Sequence, residues 1–269
     1  MQNKSKKSKP VEIVQKPIIR GSWLGKDAWK LAIRRMVTMV AITVIYLISG
    51  MMLAFDGIWG RIFSCVFTVF VTAYYLYGSG VAKGQTDAAF GEILYDRQQG
   101  GHDISEDDRQ RSFHPLKGLF AVLVGAAPFV IFAIVFAFLT EKNTYQLGGL
   151  PTWASGLMEQ SEFGDALRYY EVQTALTALD VMRIIDRAMI MPFVNLATYF
   201  GNDAALAVER LSPVLLLIAP LGYAFGYSQG LRYRTRINTG IKMGDDKKKR
   251  RERKARKKRQ QSKAPERLI

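Results

Sequence analysis

Ser212–Leu231 reads SPVLLLIAPLGYAFGYSQGL, twenty residues without a charge. That matches the length of helix needed to cross a bilayer core of roughly 30 Å. The chain then turns abruptly basic: Arg232–Ile269 holds seventeen Lys and Arg against four Asp and Glu. At its centre Lys247–Arg259 runs KKKRRERKARKKR, eleven basic residues in thirteen. A segment so charged is a poor substrate for translocation, so it is expected to stay in the cytoplasm and to orient everything before it.

Upstream, apolar residues again come in blocks. Of 269 residues 49% are hydrophobic, yet the formal net charge is +15, and the two properties are segregated along the chain. Met36–Phe55, Ile62–Val81 and Gly118–Thr140 are further uncharged blocks of spanning length. The first two are joined only by DGIWGR, which forces an antiparallel hairpin. Val66, Phe67, Thr68, Val69, Phe70 and Val71 would suggest a strand in water, but a lone strand leaves its backbone unsatisfied in lipid, so a helix is expected. The sequence thus predicts an all-α, polytopic integral membrane protein with four transmembrane helices and a small helical extracytoplasmic segment. Met1–Arg35 is a basic cytoplasmic leader, disordered over Met1–Ile19, with Trp23 and Trp29 forming an interfacial collar. No cleavable signal is evident, so the first span is expected to act as a retained anchor. Lys83–Lys117 is a cytoplasmic loop, with glycines at Gly78, Gly80 and Gly84 ending the second helix and a new short helix at about Asp87–Tyr95. Arg232–Ile269 is expected to be a disordered tail.

Glu141–Leu211 is the extracytoplasmic segment. After a Gly/Pro loop, LGGLPTW, it has helical periodicity from about Phe163 to about Met191, with a break at Pro192. Ala188–Phe200 is too short to span and reads as re-entrant, interfacial or soluble. A short turn, GNDAALAVER, precedes the last span. Four spans leave thirty-two Lys and Arg inside and six outside, as the positive-inside rule expects; a fifth would put the basic tail outside. Both termini are then cytoplasmic, and a bacterial plasma membrane is the expected location.

Catalytic constellations are scarce. There is no G-x-x-x-x-G-K-[ST] loop and no H-E-x-x-H pair, and Cys65 stands alone, so neither a cofactor nor a metal site is expected. His102 and His114 share one polar loop without a surrounding motif. Asp180, Arg183, Asp186 and Arg187 are spaced as a solvated helix face, with a polar groove the less favoured reading. The spans themselves lack Asp, Glu, Lys, Arg and His, which argues against ion-coupled transport. What they do carry is small residues. Gly222, Gly226 and Gly230 form two overlapping GxxxG motifs, and Ala121 with Gly125 a weaker small-xxx-small pair, for helix packing within the bundle or with a partner or second copy. Pro128 and Pro220 are expected to kink the third and fourth spans.

The tail residues Lys247, Lys248, Lys249, Arg250, Arg251, Arg253, Lys254, Arg256, Lys257, Lys258 and Arg259 are the candidate anionic-surface site. Three partners fit them: anionic lipid headgroups, RNA phosphates, and the acidic loop residues Asp103, Glu106, Asp107 and Asp108. A basic tail after a final span resembles that of some YidC-type insertases, and the resemblance, which covers the tail alone, implies ribosome contact. Lys242–Ile269 contains no aromatic residue, so any RNA contact is expected to be electrostatic. The expected function is a non-enzymatic accessory or scaffold subunit that packs through the glycine strip and presents a cationic tail. A transporter component with a groove between the third and fourth spans is the alternative.

Overall fold

The computed structural model describes residues 13–53, 55–141 and 177–261. Every regular element among them is helical: α1 (Lys26–Met52), α2 (Ile58–Gln99), α3 (Glu106–Arg111), α4 (Lys117–Leu139), α5 (Ala178–Met189), α6 (Met191–Ala197) and α7 (Asn202–Gln261), with one 3-10 turn at Thr198–Phe200. α1, α2, α4 and α7 are each long and apolar enough to cross a membrane. The expected loop at LGGLPTW and the helix start near Phe163 lie outside the described residues.

Side-chain size explains how these helices pack. Ala121, Ala126 and Ala133 of α4 are fully buried, whereas Val37 and Val44 of α1, Phe63 and Phe70 of α2, and Phe138 of α4 are exposed. Small residues on α4 admit close packing inside, while large apolar side chains on the outside of these helices suit an apolar solvent.

The described residues form two compact units. One takes its residues from Leu31–Leu76 and Ala121–Gly222. Its core includes Met39, Ile42, Tyr46, Cys65, Val122, Phe136, Ile190 and Leu216. In it, Gly125 approaches the α1 backbone so closely that a Cβ would sit 2.6 Å from the Ala32 carbonyl. α5 starts with a capping box: Thr177 accepts from the Asp180 amide, and the Asp180 carboxylate accepts from Thr177. These bonds hold the Asp180 carboxyl below the usual range. At Pro192 the helix is interrupted as expected, and α6 begins with that proline in its first turn.

The other unit draws on Met1–Lys30, Tyr77–Phe120 and Tyr223–Ile269. Here the sequence expectations need correction. α2 does not end at its glycines but runs on to Gln99, so the helix expected at Asp87–Tyr95 is its continuation. Gly80 lies against the backbone of Tyr223 and Tyr227, and Gly84 against Tyr227 and Gly230. These glycines admit a neighbouring backbone, and packing outweighs their low helix propensity. The stop comes at Gly100–Gly101, where Gly101 has φ +80°.

α7 departs from expectation at both ends. GNDAALAVER is its first turns rather than a separate one, and the segment expected to be disordered is helical as far as Gln261. Beyond Gly244 the described tail holds only Asp, Glu, Lys, Arg, Ala and Gln, mostly strong helix formers without a breaker. Part of the leader is also ordered. From Ile13 it runs extended, with the Val14 amide donating to Thr239 Oγ1 (3.1 Å), the Ile19 amide to the Gly91 carbonyl (3.2 Å) and the Gly21 amide to the Phe113 carbonyl (3.0 Å).

Candidate functional site

Lys247–Arg259 lies on α7, and every described side chain from Ile241 to Lys258 is exposed. A helix turns about 100° per residue, so twelve positions sample every azimuth. Between Lys247 and Lys258 only Glu252 and Ala255 are not basic. No apolar face exists by which this helix would lie embedded in a headgroup layer. In the acidic loop Asp107 pairs with Lys26 (3.6 Å), and Asp108 lies 4.0 Å from Arg111.

The turns that precede the cationic stretch are tied to α2. Glu92, which is buried, accepts from Arg234 Nη2 (2.8 Å) and from Asn238 Nδ2 (2.6 Å). One helical segment earlier, Gly226 faces the Tyr77 carbonyl and Gly230 faces Gly84. In the other unit a Cβ on Gly222 would meet the Ala73 carbonyl at 2.6 Å. All three glycines of the strip therefore face α2. Pro128 and Pro220 lie inside α4 and α7, which run on through them.

Two buried polar clusters went unread in the sequence. In the first, Lys117 at the start of α4 is fully buried, its Nζ 2.6 Å from Asp27 Oδ2 and 3.5 Å from Asp87 Oδ2, and it donates to the Gln110 carbonyl at 3.0 Å. Asp87 also accepts from Lys83 (2.8 Å) and from the Tyr227 hydroxyl (2.7 Å). Two lysines and two aspartates balance, and Asp87 is satisfied on both oxygens. Such a set reads as a structural tie.

The second cluster corrects the reading of Asp180, Arg183, Asp186 and Arg187 as a solvated face. Asp180 and Arg187 are half-buried, whereas Arg183 is 7% exposed and Asp186 not at all. Glu209 of α7, also buried, accounts for this. Its Oε2 accepts from Arg183 Nε (3.3 Å) and from the Thr140 hydroxyl (2.8 Å), and its Oε1 from Arg187 Nε (2.7 Å). Arg183 Nη2 reaches back to Thr140 Oγ1 (3.2 Å) and the Glu141 carbonyl (2.7 Å). One carboxylate thus clamps two guanidiniums and the end of α4. Asp186 stands beside this clamp outside it. The buried Ser212 hydroxyl lies against its carboxyl, and no arginine is bonded to either of its oxygens. Burial pushes the Asp186 carboxyl up to about 7; the Ser212 hydroxyl and Arg187 oppose the rise, and Glu209 adds to it.

Nearby, Ile134, Ala137 and Phe138 of α4 and Arg210 and Pro213 of α7 line a groove of about 530 Å³. Among the described residues no three His, Cys, Asp or Glu gather as a metal site. His114 is bonded through Nδ1 to the Leu116 amide (3.3 Å), and its imidazole is held below the ordinary range by burial and by Arg20 and Lys117.

The chain matches no family model, curated protein or solved structure. Its function is therefore read from its own residues. The signal for Glu209 was its position three residues before an uncharged span, and Thr140 and Ser212 mark the polar ends of two such spans. Arg183 and Arg187, one turn apart, are the pair that such a carboxylate would hold.

Proposed function

We propose that this is a non-enzymatic accessory or scaffold subunit, inserted in a membrane through α1, α2, α4 and α7, whose working part is the cationic helix Lys247–Arg259. Its partner is a phosphate-rich polyanion away from the bilayer, RNA at a ribosome surface being the chemistry that fits best. The observation that carries this reading is the continuity of α7 beyond the span, tied to α2 through Glu92, Arg234 and Asn238. At 1.5 Å per residue, Lys247 lies about 24 Å along the helix from Leu231. A lipid surface potential decays over a Debye length of about 8 Å, so charges held that far along a supported helix feel little of it. Cations at every azimuth also suit a polyanion that wraps or grooves around a helix, whereas a flat bilayer engages one side. The strip of glycines faces α2, so the bundle uses it internally, and the exposed cationic helix is the surface left for a partner.

The test is binding of the full chain, in nanodiscs, to purified ribosomes and to a ribosomal RNA hairpin across a salt series. Engagement of six phosphates gives a log–log slope of about −4 to −5. A chain ending at Gly244 is expected to lose that binding and keep its fold. Binding that requires anionic lipid in the disc and ignores RNA overturns the RNA reading in favour of headgroups.

The groove between α4 and α7 supports the transporter component as a second reading, since it lies where a pathway between the third and fourth spans belongs. Substrate flux into vesicles that falls on Phe138→Ala yet survives tail removal favours that reading.

A further inference from the structure

Asp186 is a carboxyl with no exposed surface, set against the Ser212 hydroxyl and without a cation bonded to either oxygen, which an ionised group tolerates poorly. The cations that would pair it are committed elsewhere. Arg183 serves Glu209, Thr140 and the Glu141 carbonyl, and Arg187 serves Glu209. Facing Asp186 from α7 are Glu209, a like charge, and Ser212, whose buried hydroxyl favours the ionised form. From its own helix come Arg183, one turn earlier, and Arg187; the end of α4 supplies Thr140 and the Glu141 carbonyl to the same clamp. The site therefore has an acid without a cationic partner beside a saturated ion-pair network.

We propose that Asp186, with Ser212 against it, is a proton-binding site whose occupancy governs the Glu209 clamp. Protonated, Asp186 is neutral, and Glu209 keeps both arginines and Thr140. When the proton leaves to water, the new carboxylate competes with Glu209 for Arg183 and Arg187, loosening the tie between α5, the end of α4 and α7. Because burial favours the neutral acid, the proton is held more tightly in the folded chain than in the unfolded one. The clamp is closed on the acid side of neutrality and loosens as pH rises through it. The ligand is a proton, and a small monovalent cation on the same two oxygens is the rival.

Infrared difference spectra of the full chain in detergent, between about pH 5 and about pH 9, read the site directly. A carbonyl stretch of a neutral carboxylic acid is expected at the acid end, disappearing with a midpoint near neutrality and absent from Asp186→Asn. No such band, or the same band in the variant, overturns the proposal. Should Asp186→Asn fail to fold, Ser212→Ala is expected to raise the midpoint, since the hydroxyl favours the ionised form; an unmoved midpoint overturns the assignment. Replacing choline chloride by sodium chloride is expected to leave the midpoint unchanged. A midpoint that falls as sodium rises identifies a cation site and sinks the proton reading.

Discussion

Two glycines in α2 and α7 show how one residue type carries opposite meanings. Gly226 lies on the Tyr77 carbonyl, so any Cβ collides with backbone that has no rotamer to yield. Gly78, the residue after Tyr77, has nothing within 4 Å of where its Cβ would go. Gly226→Ala is therefore expected to cost about 1–3 kcal/mol through overpacking. Gly78→Ala relieves the conformational cost of a helical glycine, a gain of about 0.5–1 kcal/mol. Thermal unfolding in one detergent, followed by circular dichroism, checks both signs together; equal gains would show that propensity rather than packing governs. Sequence spacing alone makes these residues alike, since GxxxG gives a strip without saying what lies upon it. The same blindness hid Asp186. Arg183, Asp186 and Arg187 have the spacing of solvated ion pairs, and only the approach of Glu209, more than twenty residues away, turns that face inward.

At the scale of elements, the spans were legible because length and absence of charge are enough to define them, and α4 ends within a residue of expectation. The continuations of α2 and α7 were not legible. Local rules place a stop at Gly80 and Gly84, but these glycines let the two helices run on together, and Glu92 then ties the polar parts of both. High charge was likewise a sign of disorder when read alone, although Lys, Arg and Ala favour a helix once its first turns are held. Gly240 and Gly244 are the weak points of this extension, both with open space around them. Gly240→Ala with Gly244→Ala is expected to stabilise the tail helix by about 1–2 kcal/mol, seen as slower amide exchange from Ile241 onward. If α7 acts as a stalk, the stiffened variant tightens RNA binding and leaves vesicle binding unchanged. A hinge that lets the tail fold back onto lipid predicts the reverse, weaker vesicle binding with RNA affinity unchanged.

For the whole molecule, parity and charge set the expected topology. Among the described residues four helices are long and apolar enough to cross a membrane. Were these the chain's crossings, the basic residues before the first, between the second and third, and after the fourth would share one side, as the retention of Lys and Arg during insertion favours. α5 and α6, at 12 and 7 residues, are far too short to span. The buried pairs obey the same logic. Lys117 and Glu209 sit just before uncharged stretches, where an ionised side chain is far cheaper to hold than at mid-bilayer. Cys65 is the chain's single cysteine, so Cys65→Ser gives a clean background for labelling. In that background a cysteine at Lys258 is expected to resist a membrane-impermeant maleimide on intact cells and to react after permeabilisation. A cysteine at Asp180, partly exposed in the first turn of α5, is expected to react from outside in both states. Labelling of Lys258→Cys on intact cells would mean an odd number of crossings, and the cationic helix would then face away from any ribosome.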